Sequence, residues 1–168
     1  MTITTERLIL RQFTLEDADF VIALLNSDGW LQYIGDRNVH SCEDARAYLQ
    51  NKYIKTYTES PIGLLCVTLK HDATPIGMCG LVDRDFLPHY DIGFGYLPQY
   101  YRQGYGYESA VAVLEIAKQQ FDINKVLAMT VTYNNNCIAL LQKLDFVFQE
   151  NINIPNDETL MLFQRQLG

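Results

Sequence analysis

One segment restricts the fold of this chain more than any other. It reads Asp91-Ile92-Gly93-Phe94-Gly95-Tyr96, then Pro98, then Arg102-Gln103-Gly104-Tyr105-Gly106-Tyr107 and a long amphipathic run. Ile92, Phe94 and Tyr96 alternate with Asp91, Gly93 and Gly95, which is the two-residue period of a strand that Pro98 ends. Ala110, Val113, Leu114, Ala117 and Phe121 recur at helical spacing, so a helix is predicted from about Gly106 to Phe121. Between strand and helix, glycines at alternate positions let successive N–H groups turn toward one point, because no Cβ blocks the approach. The first helical turn adds unpaired N–H groups and the positive end of its dipole. The unit is therefore suited to cradling a phosphate without a lysine, although a plain strand–helix turn with two glycines has the same pattern. A Walker loop requires Lys and Ser/Thr after Gly106, and both are absent. A dinucleotide fingerprint requires a third glycine where Ser109 stands. Glycines inside the strand mark a bulge or a ligand's close approach, and a strand splayed from its neighbour would offer N–H and C=O groups to an amide-bearing ligand.

Around this unit the apolar period switches repeatedly. Residues 6–13 read as a strand, Leu8 and Leu10 alternating with Arg7 and Arg11. Thr14-Leu15-Glu16-Asp17 and Ser41-Cys42-Glu43-Asp44 have the form of capping boxes. The first opens a helix with Ala18, Val21, Ile22 and Leu25 on one face, ending at Ser27-Asp28-Gly29, and the second opens one with Ala45, Tyr48 and Leu49. The loop between them holds Trp30, Tyr33 and Arg37. Residues 64–69 and 76–82 read as a hairpin and residues 90–97 as the next strand; after the central helix come a strand at 125–131 and a helix with Cys137, Leu140, Leu141 and Leu144. Strands at 146–152 and 159–166 close the chain across a turn at Pro155-Asn156-Asp157. The order β-αα-βββ-α-β-α-ββ predicts an α+β fold, a mixed sheet with helices on both faces, in a single domain over residues 1–168.

Other function classes are excluded by what is missing. With 168 residues and a 48% hydrophobic fraction, the chain builds a core without disulfide or metal staples. Cys42, Cys66, Cys79 and Cys137 form no C-x-x-C pair, and Cys66 and Cys79 sit in apolar runs as small hydrophobes, so a reduced cytoplasmic protein is expected. His40, His71 and His89 lack metal-ligand spacing, and no metal site is expected. A net charge of -7 without a Lys/Arg cluster argues against a nucleic-acid partner. The same charge suits cationic partners such as amines, although plain solubility is the commoner reason for an acidic balance. No apolar run approaches the ~20 residues of a membrane span, and residues 1–7 have neither a basic nor an apolar signal region.

Several motifs in order resemble one family. Tyr101-Arg102-Gln103-Gly104-Tyr105-Gly106 is similar to the [QR]-x-x-G-x-[GA] diphosphate loop of the GNAT acetyltransferase superfamily, particularly the branch with the ribosomal-protein N-terminal acetyltransferases. Tyr101 stands where the family has Gln or Arg. Asn134-Asn135-Asn136-Cys137 and Lys143-Leu144-Asp145-Phe146 resemble the family's N-x-x-S and K-x-G-F, with Cys137 for serine and Asp145 for glycine. Ile76-Gly77-Met78-Cys79-Gly80-Leu81 has its counterpart too, and the order of elements agrees from Glu6 to Gln166. The resemblance implies a GNAT-like, mostly antiparallel central sheet and acetyl-CoA as co-substrate. It implies a diphosphate on Arg102, Gln103, Gly104, Tyr105, Gly106 and Tyr107, with Tyr96, Leu97 and Asn134 also at the cofactor. The acceptor would be an amine, either a protein N-terminus or a small molecule, attacking directly in a ternary complex. Its pocket would lie between Trp30, Tyr33 and Arg37 and residues 153–157, in a monomer or homodimer.

Such a transfer needs a neutral amine, a polarised thioester carbonyl and a proton for the leaving thiolate. A backbone N–H from residues 94–97 is the expected polarising group. Many relatives hold a tyrosine acid at the position of Leu141, so that group is missing here. Cys137 is a candidate to assist at the thiol, or packs with Leu140 and Leu141. Asp91 shares strand parity with Gly93 and Gly95 and is the candidate base or water-mediated proton acceptor; a solvated strand-end carboxylate is the other reading. An amine that arrives neutral needs neither. A catalytically silent acyl-CoA-binding sensor of the same fold is the alternative function.

Overall fold

Two-residue alternation along the chain yields one eight-stranded sheet in the computed structural model, which describes residues 1–60, 62–154 and 158–168. The strands are β1 (Thr2–Thr4), β2 (Leu8–Arg11), β3 (Leu64–Leu69), β4 (Pro75–Val82), β5 (Asp91–Tyr96), β6 (Lys125–Val131), β7 (Val147–Asn153) and β8 (Thr159–Gln166). They lie in the order β1-β2-β3-β4-β5-β6-β8-β7, and only β5 and β6 run parallel. The helices are α1 (Ala18–Leu25), α2 (Asp28–Tyr33), α3 (Cys42–Tyr48), α4 (Tyr105–Phe121) and α5 (Asn135–Lys143). A parallel pair needs a crossover, and α4 supplies it.

The strand period divides the core into two layers. Leu65 and Val67 of β3, Leu81 of β4 and Ile92 of β5 face Ala110, Val113, Leu114 and Ala117 of α4 and Leu141 of α5. One residue out of phase, Cys66 and Met78 face the other way, against Val21, Leu24 and Leu25 of α1, Trp30 of α2 and Ala45 of α3. The expected α+β sheet with helices on both faces is what forms.

Local signals act as the sequence suggests. Thr14 and Asp17 close a reciprocal capping box, and Arg11 grips the Asp17 carboxylate with two nitrogens at 2.8 and 2.9 Å. Ser41 caps α3 by accepting from Asp44 N–H at 3.0 Å, while the Asp44 carboxylate accepts from His40 N–H rather than closing back on Ser41. Three features differ from expectation. The first strand is a hairpin of β1 and β2, because Ile3 is buried while Thr2 and Thr4 are exposed, too short an alternation to register. The region read as a loop holds α2, a six-residue helix that tertiary packing of Trp30 stabilises despite Gly29. The helical path after Ser41 continues beyond α3 through a wide turn at Leu49–Tyr53 and a 3₁₀ turn at Ile54–Thr58.

Candidate functional site

Strands β5 and β6 touch at one register pair only, Asp91 with Leu127. Leu127 N–H bonds the Tyr90 carbonyl at 2.9 Å, and from there the strands diverge into a wedge. On the other edge of β5, pairing with β4 continues to Tyr96, and Leu97 N–H still bonds the Ile76 carbonyl at 2.9 Å. Main-chain groups alternate between the two edges of a strand, so those of Phe94 and Tyr96 turn into the wedge. The face of β5 that carries Gly93 and Gly95 is not open as expected. A Cβ on Gly95 would stand 2.8 Å from Trp30 Cζ3, and one on Gly93 would stand 3.3 Å from Leu64 Cδ2. Those glycines admit protein side chains, and the open surface is the strand's edge.

At the wide end of the wedge, Pro98–Tyr100 makes a 3₁₀ turn and the chain enters the glycine loop. Arg102 has φ +61° and Gly104 has φ +82°, with Gln103 between them outside the left-handed region. Such alternation turns successive N–H groups toward one concavity. Gly104 is also the N-cap of α4, and the first helical bond runs from Glu108 N–H to the Gly104 carbonyl. Tyr105, Gly106 and Tyr107 therefore have N–H groups without intrahelical partners. At Gly106 a Cβ would come 3.2 Å from Leu140 Cδ2 and 3.5 Å from the Tyr96 ring, so the helix start sits tight against α5 and β5. A left-handed glycine followed by unpaired helical N–H groups fits the diphosphate of a coenzyme A derivative.

The side chains around the loop are occupied structurally. Arg7, which the sequence alone did not single out, donates from Nη1 to the Gln103 carbonyl (2.9 Å) and from Nε to Glu108 Oε2 (2.7 Å), with its guanidinium 4.4 Å from the Tyr105 ring centre. Gln103 turns its amide back to the Gln99 carbonyl at 2.9 Å. Tyr107 lies under Lys143 Nζ, 4.4 Å from the ring centre. The Tyr96 phenol shares a short hydrogen bond with Ser109 Oγ, which donates to the Tyr105 carbonyl at 2.8 Å. Burial pushes that phenol well above its ordinary pKa, so Tyr96 offers the wedge main chain and not a proton. Leu97 is unlike the expectation: its N–H is bonded to β4, its carbonyl accepts from Tyr100 N–H at 3.0 Å, and its side chain packs beside the Trp30 cluster.

Asn134 caps α5, its Oδ1 accepting from Cys137 N–H at 3.2 Å. Burial raises the Cys137 thiol, and a hydrogen bond with Thr130 only partly opposes that shift. A thiol held above its usual value is a poor acid toward another thiolate. Asp91 is 2% exposed, and Arg84 Nε donates to it at 2.8 Å. Burial pushes the carboxyl up to about 6 despite the nearby guanidinium. Asp91 stands at the paired apex of the wedge, three residues or about 10 Å of strand from Phe94.

The side on which the resemblance places the acceptor is aromatic. Tyr33 of α2 and Tyr133 after β6 have ring centres 5.9 Å apart. Tyr133 Oη bonds Glu158 Oε1 at 3.0 Å and the Gln32 carbonyl at 3.3 Å, tying α2 to the segment before β8. The Tyr101 hydroxyl occupies the space a Cβ of Gly29 would need. Trp30 is buried in the wall, and its Nε1 is the one buried side-chain donor without a partner among the described residues. Arg37 is exposed, and of the expected 153–157 wall, residues 155–157 lie outside the described residues. Among the described residues no cluster of His, Cys, Asp or Glu forms a metal site, and no helix is long and apolar enough to cross a membrane.

Comparison with known proteins agrees with this fold. Residues 7–147 match the family model described as "Acetyltransferase (GNAT) domain". Over 145 residues the chain is 27% identical to the Bacillus subtilis (strain 168) protein named "Uncharacterized N-acetyltransferase YnaD", covering 86% of this chain and 81% of that one. A GNAT-family acetyltransferase structure from Bacillus anthracis superposes with a TM-score of 0.82 at 21% identity, covering 99% of both chains. RimL, a ribosomal L7/L12 α-N-protein acetyltransferase solved with coenzyme A, superposes with a TM-score of 0.85 at 15% identity, covering 99% of this chain and 98% of that one. At such identities the structural likeness speaks for the fold.

Proposed function

The chain belongs to the GNAT acetyltransferase family, and on that footing we propose that it transfers acetyl from acetyl-CoA to a primary amine, a protein N-terminus or small-molecule amine, by direct attack in a ternary complex. The protein is an N-acetyltransferase, with acetyl-CoA as co-substrate. The observation that carries the finer reading is the wedge between β5 and β6, which opens onto the Arg102–Tyr107 loop. In this reading the main chain of Arg102, Gln103, Gly104, Tyr105, Gly106 and Tyr107 receives the diphosphate. Phe94 and Tyr96 offer main-chain groups to the pantetheine amides and the thioester carbonyl, and Asn134 borders the opposite wall. Leu97, with both main-chain groups engaged, is left out of the set.

Acetyl-CoA supplies an activated acyl carbon. The amine nitrogen bonds to that carbon, the C–S bond breaks, and the proton shed by nitrogen ends on the departing sulfur. The buried, arginine-paired Asp91 and the raised thiol of Cys137 favour an acceptor that is already neutral rather than one deprotonated by a side chain. At pH 7 roughly 10% of an α-amine with pKa near 8 is neutral, against about 0.04% of a lysine near 10.4. That gap of more than a hundredfold favours α-amines or other amines of low pKa.

The test is thermal stabilisation by acetyl-CoA, followed by thiol release with N-terminal peptides, Nα-blocked lysine peptides and small amines. Stabilisation with thiol release from free α-amines is expected. No stabilisation would refute the loop assignment. Stabilisation without thiol release anywhere in the panel would identify instead a silent acyl-CoA-binding module, the reading to which Leu141 at the family's tyrosine position points.

A further inference from the structure

We propose that Arg7 is a positioning residue for the donor, holding the 102–107 loop in its phosphate-receiving form before acetyl-CoA arrives. The inference rests on the reading of that loop given above. A trans peptide is planar, so the carbonyl of one residue and the N–H of the next point in opposite directions. Arg7 Nη1 holds the Gln103 carbonyl at 2.9 Å, which turns the Gly104 N–H to the far side of the loop. The Gln103–Gly104 peptide is also the one whose flip would carry Gly104 out of its φ of +82°. Anchoring that single carbonyl therefore maintains the alternation on which the concavity depends.

Arg7 is well placed to act as a fixed post. Its Nε donates to Glu108 Oε2 at 2.7 Å, and its own N–H donates to Glu108 Oε1 at 2.8 Å. Thr5 Oγ1 donates to the same Oε1 at 2.8 Å, and the Tyr105 ring lies beneath the guanidinium at 4.4 Å. One side chain thus joins the β1–β2 turn, the loop carbonyl and the first turn of α4. Glu108 alone would set a negative charge beside arriving phosphates, and the guanidinium offsets it. Burial would raise the Glu108 carboxyl, but the Arg7 N–H, the Thr5 hydroxyl and the guanidinium together hold it below the usual range, so the clasp persists at neutral pH.

The experiment compares wild type, Arg7→Ala and Arg7→Lys by calorimetric binding of coenzyme A, by NMR relaxation of the Gly104 amide without ligand, and by turnover with acetyl-CoA and S-acetyl-pantetheine, which lacks the diphosphate. Arg7→Ala should weaken coenzyme A binding roughly tenfold or more, the loss expected for a charge-assisted hydrogen bond. It should lower the Gly104 order parameter from about 0.85 toward 0.6 in the ligand-free protein. Saturated kcat with acetyl-CoA and the KM for S-acetyl-pantetheine should stay within about twofold. Arg7→Lys keeps stem and charge but not the fork, so it should lose at least about fivefold in affinity, and it carries the test if the alanine variant fails to fold. Affinity for coenzyme A unchanged in Arg7→Ala, full recovery by lysine, or an equal loss toward S-acetyl-pantetheine would each overturn the positioning role. Failure of the wild type itself to bind coenzyme A would instead overturn the reading of the loop.

Discussion

Replacing Gly104 with alanine puts a Cβ on a residue whose φ is +82°. An L-residue in that region is disfavoured by roughly 1–2 kcal/mol. The nearest neighbour of the new methyl would be Arg7 Nη2 at 3.2 Å, the end of a long side chain that can shift by a few tenths of an ångström, so sterics add little. The backbone penalty then has two destinations. If the loop keeps its form, folding stability falls by that amount and binding is unchanged. If the loop relaxes to negative φ in the free protein, stability is unchanged and the cost appears on binding, because the cradle must be restored. Gly104 is exposed, and the penalty matches the net worth of about 0.5–1.5 kcal/mol of an exposed bond such as the one from Arg7 to the Gln103 carbonyl that holds the loop, so in the variant the second outcome is expected. At 1.4 kcal/mol per factor of ten, the Kd for coenzyme A should rise about 5- to 30-fold with an unchanged urea midpoint. Calorimetry and urea titration together measure the sum of the two effects, which should come to about 1–2 kcal/mol wherever it lands. A variant with both wild-type Kd and wild-type midpoint would refute the argument that this loop needs a left-handed glycine.

Gly95→Ala should force a Cβ to within 2.8 Å of the buried Trp30 ring and destabilise by about 1–3 kcal/mol in urea; an unchanged midpoint would show that the indole is not packed on β5. Asp91 titrates near 6 in the folded protein, above its unfolded value of about 3.9. Its contribution is therefore fully present below pH ~4 and lost as pH rises through about 6. The stability of wild type relative to Asp91→Asn should accordingly fall by about 2–3 kcal/mol between pH 3.5 and 7, and a difference independent of pH would contradict the burial argument. The same variant should leave the pH profile of kcat/KM following the acceptor amine; loss of an inflection near 6 would restore Asp91 as a base. Tyr133→Phe removes the hydroxyl that ties Glu158 to the Gln32 carbonyl, and should raise the acceptor KM severalfold while leaving the KM for acetyl-CoA alone. An equal rise in both would show that this contact does not belong to the acceptor side.

Local rules made much of the site readable in advance. Alternation at Ile92, Phe94 and Tyr96, the helical stripe from Ala110 to Phe121 and the paired glycines defined a strand, a helix and a loop of unusual backbone, because each signal lies within a few neighbouring residues. The capping residues Thr14 and Ser41 were readable for the same reason. The strand glycines misled. Their pattern says only that something approaches closely, and whether that is a ligand or Trp30 depends on a helix 60-odd residues away in sequence. Asp91 shares the face of Gly93 and Gly95 by parity, but parity carries no information about depth or about Arg84, which pairs with it across the intervening turn. Arg7 read as an ordinary alternating strand residue, since nothing near it in sequence hints at Gln103 or Glu108.

By itself, then, the chain of residues determined the order of elements apart from β1 and α2, the two-faced sheet and a glycine loop between strand and helix, all consequences of short-range periodicity and backbone sterics. The tertiary structure decided what those parts become together. It alone determined that β5 leaves β6 after Asp91, that the Leu97 main chain is spent on its neighbours, and that the loop is clasped by a residue about a hundred positions earlier. Hydrogen-bond partners and burial depend on which distant segments meet, and no local pattern carries that information. The glycine loop can therefore be traced to a motif, whereas the aromatic wall exists only as tyrosines brought together from three separate segments.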